Sequence, residues 1–124
     1  MDIDNLTLGE IKEISNFVNQ GSNTTDICQN HIGKYHIFRT YSAGVFFGKL
    51  KKKQGKECII DECRRLYYWK TKGGISLSEV ALNGLHTDSK VCTSTGSHWV
   101  EAIEIIPCTT VAVADIQEKK DYVN

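Results

Sequence analysis

The chain carries no excess of charge: 15 Lys+Arg balance 15 Asp+Glu over 124 residues. A general nucleic-acid binder draws most of its affinity from a positive excess that neutralises phosphates. Any anion bound here must therefore be met locally, by a few well-placed cations. No apolar run approaches the roughly 20 residues that cross a bilayer. The N-terminus, MDIDNLTLGEIKEI, is acidic and amphipathic, whereas a secretion signal starts basic and continues apolar. These absences lead us to expect a cytosolic protein, in its native organism or in a cell that organism infects. The five cysteines (Cys28, Cys58, Cys63, Cys92 and Cys108) are odd in number. Cys58 and Cys63 are too far apart for the C-x-x-C spacing of zinc knuckles and redox pairs. Reduced, scattered thiols are expected, with no metal and no cofactor.

Catalytic signatures are missing too. His31, His36, His86 and His98 are dispersed, and no H-E-x-x-H, G-x-S-x-G or phosphate-loop pattern occurs. Asp61 and Glu62 are adjacent, so a strand would point them to opposite faces. Nothing in the spacing favours a Cys–His dyad, and the chain reads as a binder and not an enzyme.

What is present is the make-up of one small domain, with 40% hydrophobic and 24% charged residues. Residues 6–19 predict a helix: Thr7 and Glu10 fit a capping box, and Leu8, Ile11, Ile14, Phe17 and Val18 share one face. Residues 20–30 are polar and turn-rich, as in a linker. From Lys34 the pattern turns to strands, over 34–41, 45–53, 57–62 and 64–69, with Gln54-Gly55-Lys56 as a turn. Lys72-Gly73-Gly74 closes this block. Ser76, Glu79 and Gly84 then read as N-cap, capping partner and C-cap of a short helix. Residues 86–97 form a polar loop, 98–107 another strand ended by Pro107, and the tail after it is helical or irregular. The expected class is α+β: an N-terminal helix plus an antiparallel small-barrel sheet, SH3-like or Tudor-like, with a short helical insertion. We expect a single ligand-binding domain, with residues 1–30 as helix and linker and 31–124 as the β-rich core.

The chemistry concentrates in that sheet. Arg39, Tyr41, Phe46, Arg64, Arg65, Tyr67, Tyr68 and Trp69 fall within about thirty residues, with Phe38 and Phe47 among them. Guanidinium forks suit phosphate oxygens, and flat rings suit a nucleobase. In half-buried strands alternate aromatics belong to the core, so Phe38 and either Phe46 or Phe47 are expected to pack inward. One of each adjacent pair in RRLYYW should do the same, and whether Arg64 or Arg65 faces a ligand stays open. Lys51-Lys52-Lys53 reads first as a solvated strand edge that resists pairing between sheets. The alternative to a small-molecule binder is a small β-barrel that binds nucleic acid or protein.

The segments RTYSAGVFFGKL, RRLYYW, SLSEVALNGL and EAIEIIPCT together resemble a group of small bacteriophage proteins, the anti-Thoeris sponges. The resemblance covers roughly residues 34–110. It implies a homodimer or higher homo-oligomer in the host cytoplasm that binds a cyclic ADP-ribose isomer and keeps it, uncleaved, from a defence effector. It also implies that other cyclic nucleotides can be ligands. On this reading Arg39, Arg64 and Arg65 meet phosphate, and Tyr41, Phe46, Tyr67, Tyr68 and Trp69 offer stacking faces. Ser42 and Gly44 then permit close backbone approach.

Overall fold

Alternating apolar residues from Tyr35 onward build strands, and a computed structural model describes the chain over residues 27–123. The helix expected over 6–19 lies outside the described residues. Two units divide the chain, Met1–Asn30 and His31–Asn124. Within the first, Ile27–Asn30 is a turn of 3-10 helix.

The second unit contains β1 (Tyr35–Thr40), β2 (Val45–Gln54), β3 (Glu57–Tyr68), α1 (Leu77–Asn83), β4 (Lys90–Val91), β5 (Ser97–Pro107) and α2 (Thr110–Glu118). It is an antiparallel five-stranded sheet with two short helices, in the order β2-β1-β5-β3-β4. β2 also pairs with β3, so the hydrogen-bonded pairings among β1, β2, β3 and β5 run in a closed ring.

One strand differs from expectation. Residues 57–62 and 64–69 are not two strands joined by a turn, because β3 runs unbroken over Glu57–Tyr68. The irregularity is a bulge at Glu62, whose φ is +52°. A left-handed backbone costs a non-glycine residue about 1–2 kcal/mol. The Glu62 carboxylate offsets this by accepting a hydrogen bond from the Tyr35 hydroxyl at 2.8 Å and pairing with Lys49 at 3.4 Å. These contacts hold the Glu62 carboxyl below its ordinary range, the Tyr35 bond foremost. Beyond the bend β3 leaves β5 and pairs with β4. Ser97–Glu101 run beside β3, and from Ala102 onward β5 pairs with β1. At Gly48, β2 passes so close to β3 that an added Cβ would stand 2.3 Å from the Ile60 side chain and 2.8 Å from the Asp61 carbonyl.

Each face of the sheet carries a buried cluster. Phe38, Phe46, Leu50, Cys58, Ile60, Cys63, Val100 and Ala102 form one buried cluster. On the other face Ile37, Phe47, Leu66 and Val91 pack with Leu77, Val80 and Ala81 of α1, Leu85, and Ile116 of α2. Both Phe46 and Phe47 are therefore core, where one had been expected. The α1 cap is as read: the Glu79 carboxylate accepts from the Ser76 and Ile75 backbone N–H at 2.9 and 2.7 Å. The tail resolves as helix. Thr109 caps α2 by accepting from the Ala112 N–H, and its hydroxyl donates to the Leu82 carbonyl at 2.7 Å, tying the two helices together. The 86–97 loop contains the short strand β4.

Candidate functional site

The β1–β2 turn is locked by Thr40. Its hydroxyl donates to the Gly44 carbonyl at 2.8 Å and accepts from the Ala43 N–H at 2.9 Å. Gly44 has φ +103°, a conformation side chains disfavour. The turn leaves Ser42 exposed and Tyr41 90% exposed. Arg65 approaches from β3 and donates to the Ala43 carbonyl at 2.8 Å. Its guanidinium carbon lies 4.7 Å from the Phe46 ring centroid. Phe46 itself is fully buried and 5.0 Å from the His98 ring, so it packs in the core and offers no free face to a base.

The arginines diverge. Arg64 is buried, and each of its three nitrogens donates: Nε to the Cys92 carbonyl at 2.9 Å, Nη1 to the Ile116 carbonyl at 2.8 Å and Nη2 to Asp121 at 2.9 Å. It holds β3 to the end of α2 and to the tail, and it has no fork left for phosphate. Of the adjacent pair, Arg65 is the exposed one. Arg39 is also exposed, ion-paired with Glu104 at 2.9 Å. Cross-strand partners share a face. Arg39 pairs with Val45, which packs on the helix-covered cluster, whereas Arg65 pairs with Phe46 in the other. Arg39 and Arg65 thus lie on opposite faces and do not form one phosphate clamp.

The rings at the end of β3 are outward. Tyr67 and Tyr68 are 67% and 48% exposed. Tyr67 stacks on Tyr122 with centroids 5.9 Å apart, and the Lys90 ammonium lies 5.0 Å from the Tyr122 ring and 5.8 Å from that of Tyr68. Trp69 is half-buried and turns back against the helix-side core.

Trp69 also opens a hollow of about 670 Å³ with Lys70, Thr71, Lys72, Gly73, Gly74, Ile75 and His86. Its rim is braced at several points. The Gly74 N–H donates to the Thr71 hydroxyl at 2.9 Å, and the hydroxyl donates in turn to the Gly74 carbonyl. The His86 N–H donates to the Lys70 carbonyl at 2.8 Å. Asp88 N–H donates to His86 Nδ1 at 3.1 Å, which puts the proton of a neutral imidazole on Nε2. Lys70 pairs with Asp88 at 3.5 Å, and Lys72 with Asp115 at 3.1 Å. Asp115 also accepts from the Leu85 N–H at 2.7 Å. Burial pushes the Asp115 carboxyl up, but the Leu85 N–H, Lys72 and Lys119 outweigh it and hold the group below its ordinary value. Asp115 thereby anchors the Lys72 side of the rim to α2. The hollow offers one flat ring, two ammonium groups, an imidazole and a Gly-Gly backbone. Those groups suit an anion that carries an aromatic ring.

Of the residues expected from sequence, only Trp69 lines this hollow. Lys70, Lys72, Gly73, Gly74 and His86 had not been singled out for binding. The clustered cations and paired glycines after Trp69 were the available signal, and had been read only as the end of the strand block. Among the described residues no three of His, Cys, Asp or Glu converge as metal ligands. No helix among them is long and apolar enough to cross a membrane.

Residues 33–116 match a family described as a domain of unknown function, DUF6948. No curated protein and no solved structure matches the chain.

Proposed function

The chain belongs to the DUF6948 family, and we propose that it binds a phosphorylated nucleoside signal of the cyclic ADP-ribose type and sequesters it uncleaved. The observation that carries this reading is the hollow beside Trp69, where an aromatic face adjoins Lys70, Lys72 and the Gly73-Gly74 backbone. Adenine stacks on the indole, and the pyrophosphate meets the two ammonium groups, which exchange their carboxylate partners for it. The lining contains no nucleophile paired with a base, so it suits retention better than bond cleavage.

The closed ring of pairings among β1, β2, β3 and β5 is read as a small SH3-like or Tudor-like barrel, a rigid support for the rim. The sequence likeness to anti-Thoeris sponges supplies the biological setting: a phage protein in the host cytoplasm, homo-oligomeric, that withholds the signal from its effector. High affinity and slow release serve that task.

The test is mass spectrometry of small molecules released by denaturing protein expressed beside a signal-producing TIR-domain enzyme. An intact cyclic ADP-ribose isomer is expected from the parent and a much reduced amount from Trp69→Ala and Lys72→Ala. The purified isomer should raise the melting temperature of the parent by mass action. Recovery of ADP-ribose or AMP instead would make the protein an enzyme. Undiminished capture by both variants would move the site elsewhere.

A further inference from the structure

Trp99 is 73% exposed near the start of β5. Cross-strand register explains its position. Lys52 pairs with Ile59, and Ile59 with Trp99, so the three form one row across β2, β3 and β5. Val100 and Ala102 point into the core, which turns Trp99, Glu101 and Ile103 outward. The ring is exposed yet held, because its indole N–H donates to Glu57 at 3.1 Å. It separates two shallow hollows. One, of about 160 Å³, is lined by Lys52, Lys53, Gln54, Glu57, Cys58 and Ile59. The other, of about 390 Å³, adjoins Glu57, Val100 and Glu101.

The hairpin beside the ring is basic. Residues 49–56 carry five lysines and no acid. Lys49 is engaged by Glu62, and the Lys53 ammonium donates to the Gly55 carbonyl. Lys51, Lys52 and Lys56 are exposed and have no acidic partner among the described residues. A flat ring in one row with Lys52, at the side of a hairpin whose Lys51, Lys52 and Lys56 meet no acid among the described residues, matches an unpaired base followed by its phosphates. Duplex nucleic acid presents no base face to such a ring. Glu57 borders both hollows and Glu101 only the second, so a polyanion is repelled from the Glu101 side and follows the lysine hairpin.

We propose that the Trp99 face and the β2–β3 hairpin form a binding site for single-stranded nucleic acid, distinct from the hollow at Trp69. The experiment is fluorescence anisotropy of a labelled oligothymidylate of about 10 nucleotides, within the span of small β-sheet binders. Three phosphate contacts on a single strand predict a log–log salt slope near −2, so affinity should fall about twentyfold from ~50 to ~200 mM salt. Trp99→Ala, its fold checked by circular dichroism, should weaken binding about tenfold or more through the lost stack. Lys52→Gln should weaken it less and flatten the salt slope. Absence of binding at ~50 mM salt, equal affinity for a duplex of the same length, or a Trp99→Ala protein that binds as tightly as the parent would each overturn the proposal.

Discussion

Replacing Arg64 with alanine should destabilise the protein without acting on ligand directly. Arg64 is 7% exposed, and its guanidinium satisfies the Cys92 and Ile116 carbonyls and Asp121 at 2.8–2.9 Å. Hydrogen bonds from a charged donor contribute about 1.5–3 kcal/mol each, and buried acceptors left unmatched add a penalty. The Asp121 contribution is discounted to under about 1 kcal/mol, because that side chain is 52% exposed and screened. The bonds share one group and do not add fully, so the net loss is about 3–5 kcal/mol. That is a large part of the roughly 5–15 kcal/mol that holds an ordinary domain together. At roughly 4 °C per kcal/mol, the melting temperature should fall by about 12–20 °C. Asp121→Asn should cost no more than about 4 °C on the same scale. Arg64→Lys should recover little, since a single ammonium cannot span three acceptors set around a planar fork. Thermal unfolding followed by circular dichroism, with urea midpoints alongside, measures all three. If Arg64→Ala melts within about 4 °C of the parent yet loses nucleotide binding, the assignment of Arg64 to the scaffold is wrong.

Two further outcomes follow from buried titratable groups. His36 is buried, which lowers its pKa, and its Nδ1 donates to the Lys34 carbonyl at 2.8 Å while Nε2 faces His31 Nδ1 at 3.1 Å. Its folded pKa lies below the ordinary 6.5, so the unfolded chain takes up the proton first. The His36 contribution should be complete above pH 6.5 and decline as pH falls through that value toward the folded pKa. Urea midpoints should therefore drop more steeply with acidification in the parent than in His36→Asn, and parallel curves would refute the assignment. Burial also pushes the Cys63 and Cys108 thiols up to about 12, so both should alkylate slowly in the native protein at neutral pH and fast after denaturation. Mass mapping after brief iodoacetamide treatment checks this, and prompt native labelling of either would contradict it.

Local signals carried much of the fold. The α1 cap rests on Ser76, Glu79 and Gly84, whose contacts span only a few residues, so the sequence pattern and the structure coincide there. Strand alternation located β1, β2 and β5 for the same reason. It failed around Cys63, where a tight connection between two strands, 57–62 and 64–69, is expected from the sequence but β3 runs on. A bulge shifts the phase equally well and keeps β3 whole, because the deciding contacts come from Tyr35 and Lys49 on other strands. Trp99 was legible in principle: it shares its parity along β5 with charged Glu101, which marks the outward face.

The amino-acid order by itself determined that this is a charge-balanced, sheet-rich chain, where its short helix begins and ends, and that aromatic and basic residues crowd one part of it. Those properties depend on near neighbours and on the period of a single strand. Only the tertiary structure decided which of Arg64 and Arg65 is buried, that Phe46 and Phe47 are both core, and that Trp69 joins Lys70, Lys72 and His86 around one hollow. Period-two alternation assumes one wet face, but α1 and α2 cover part of the second face of this sheet. Which side chains remain free for a ligand is then set by contacts up to 65 residues apart along the chain.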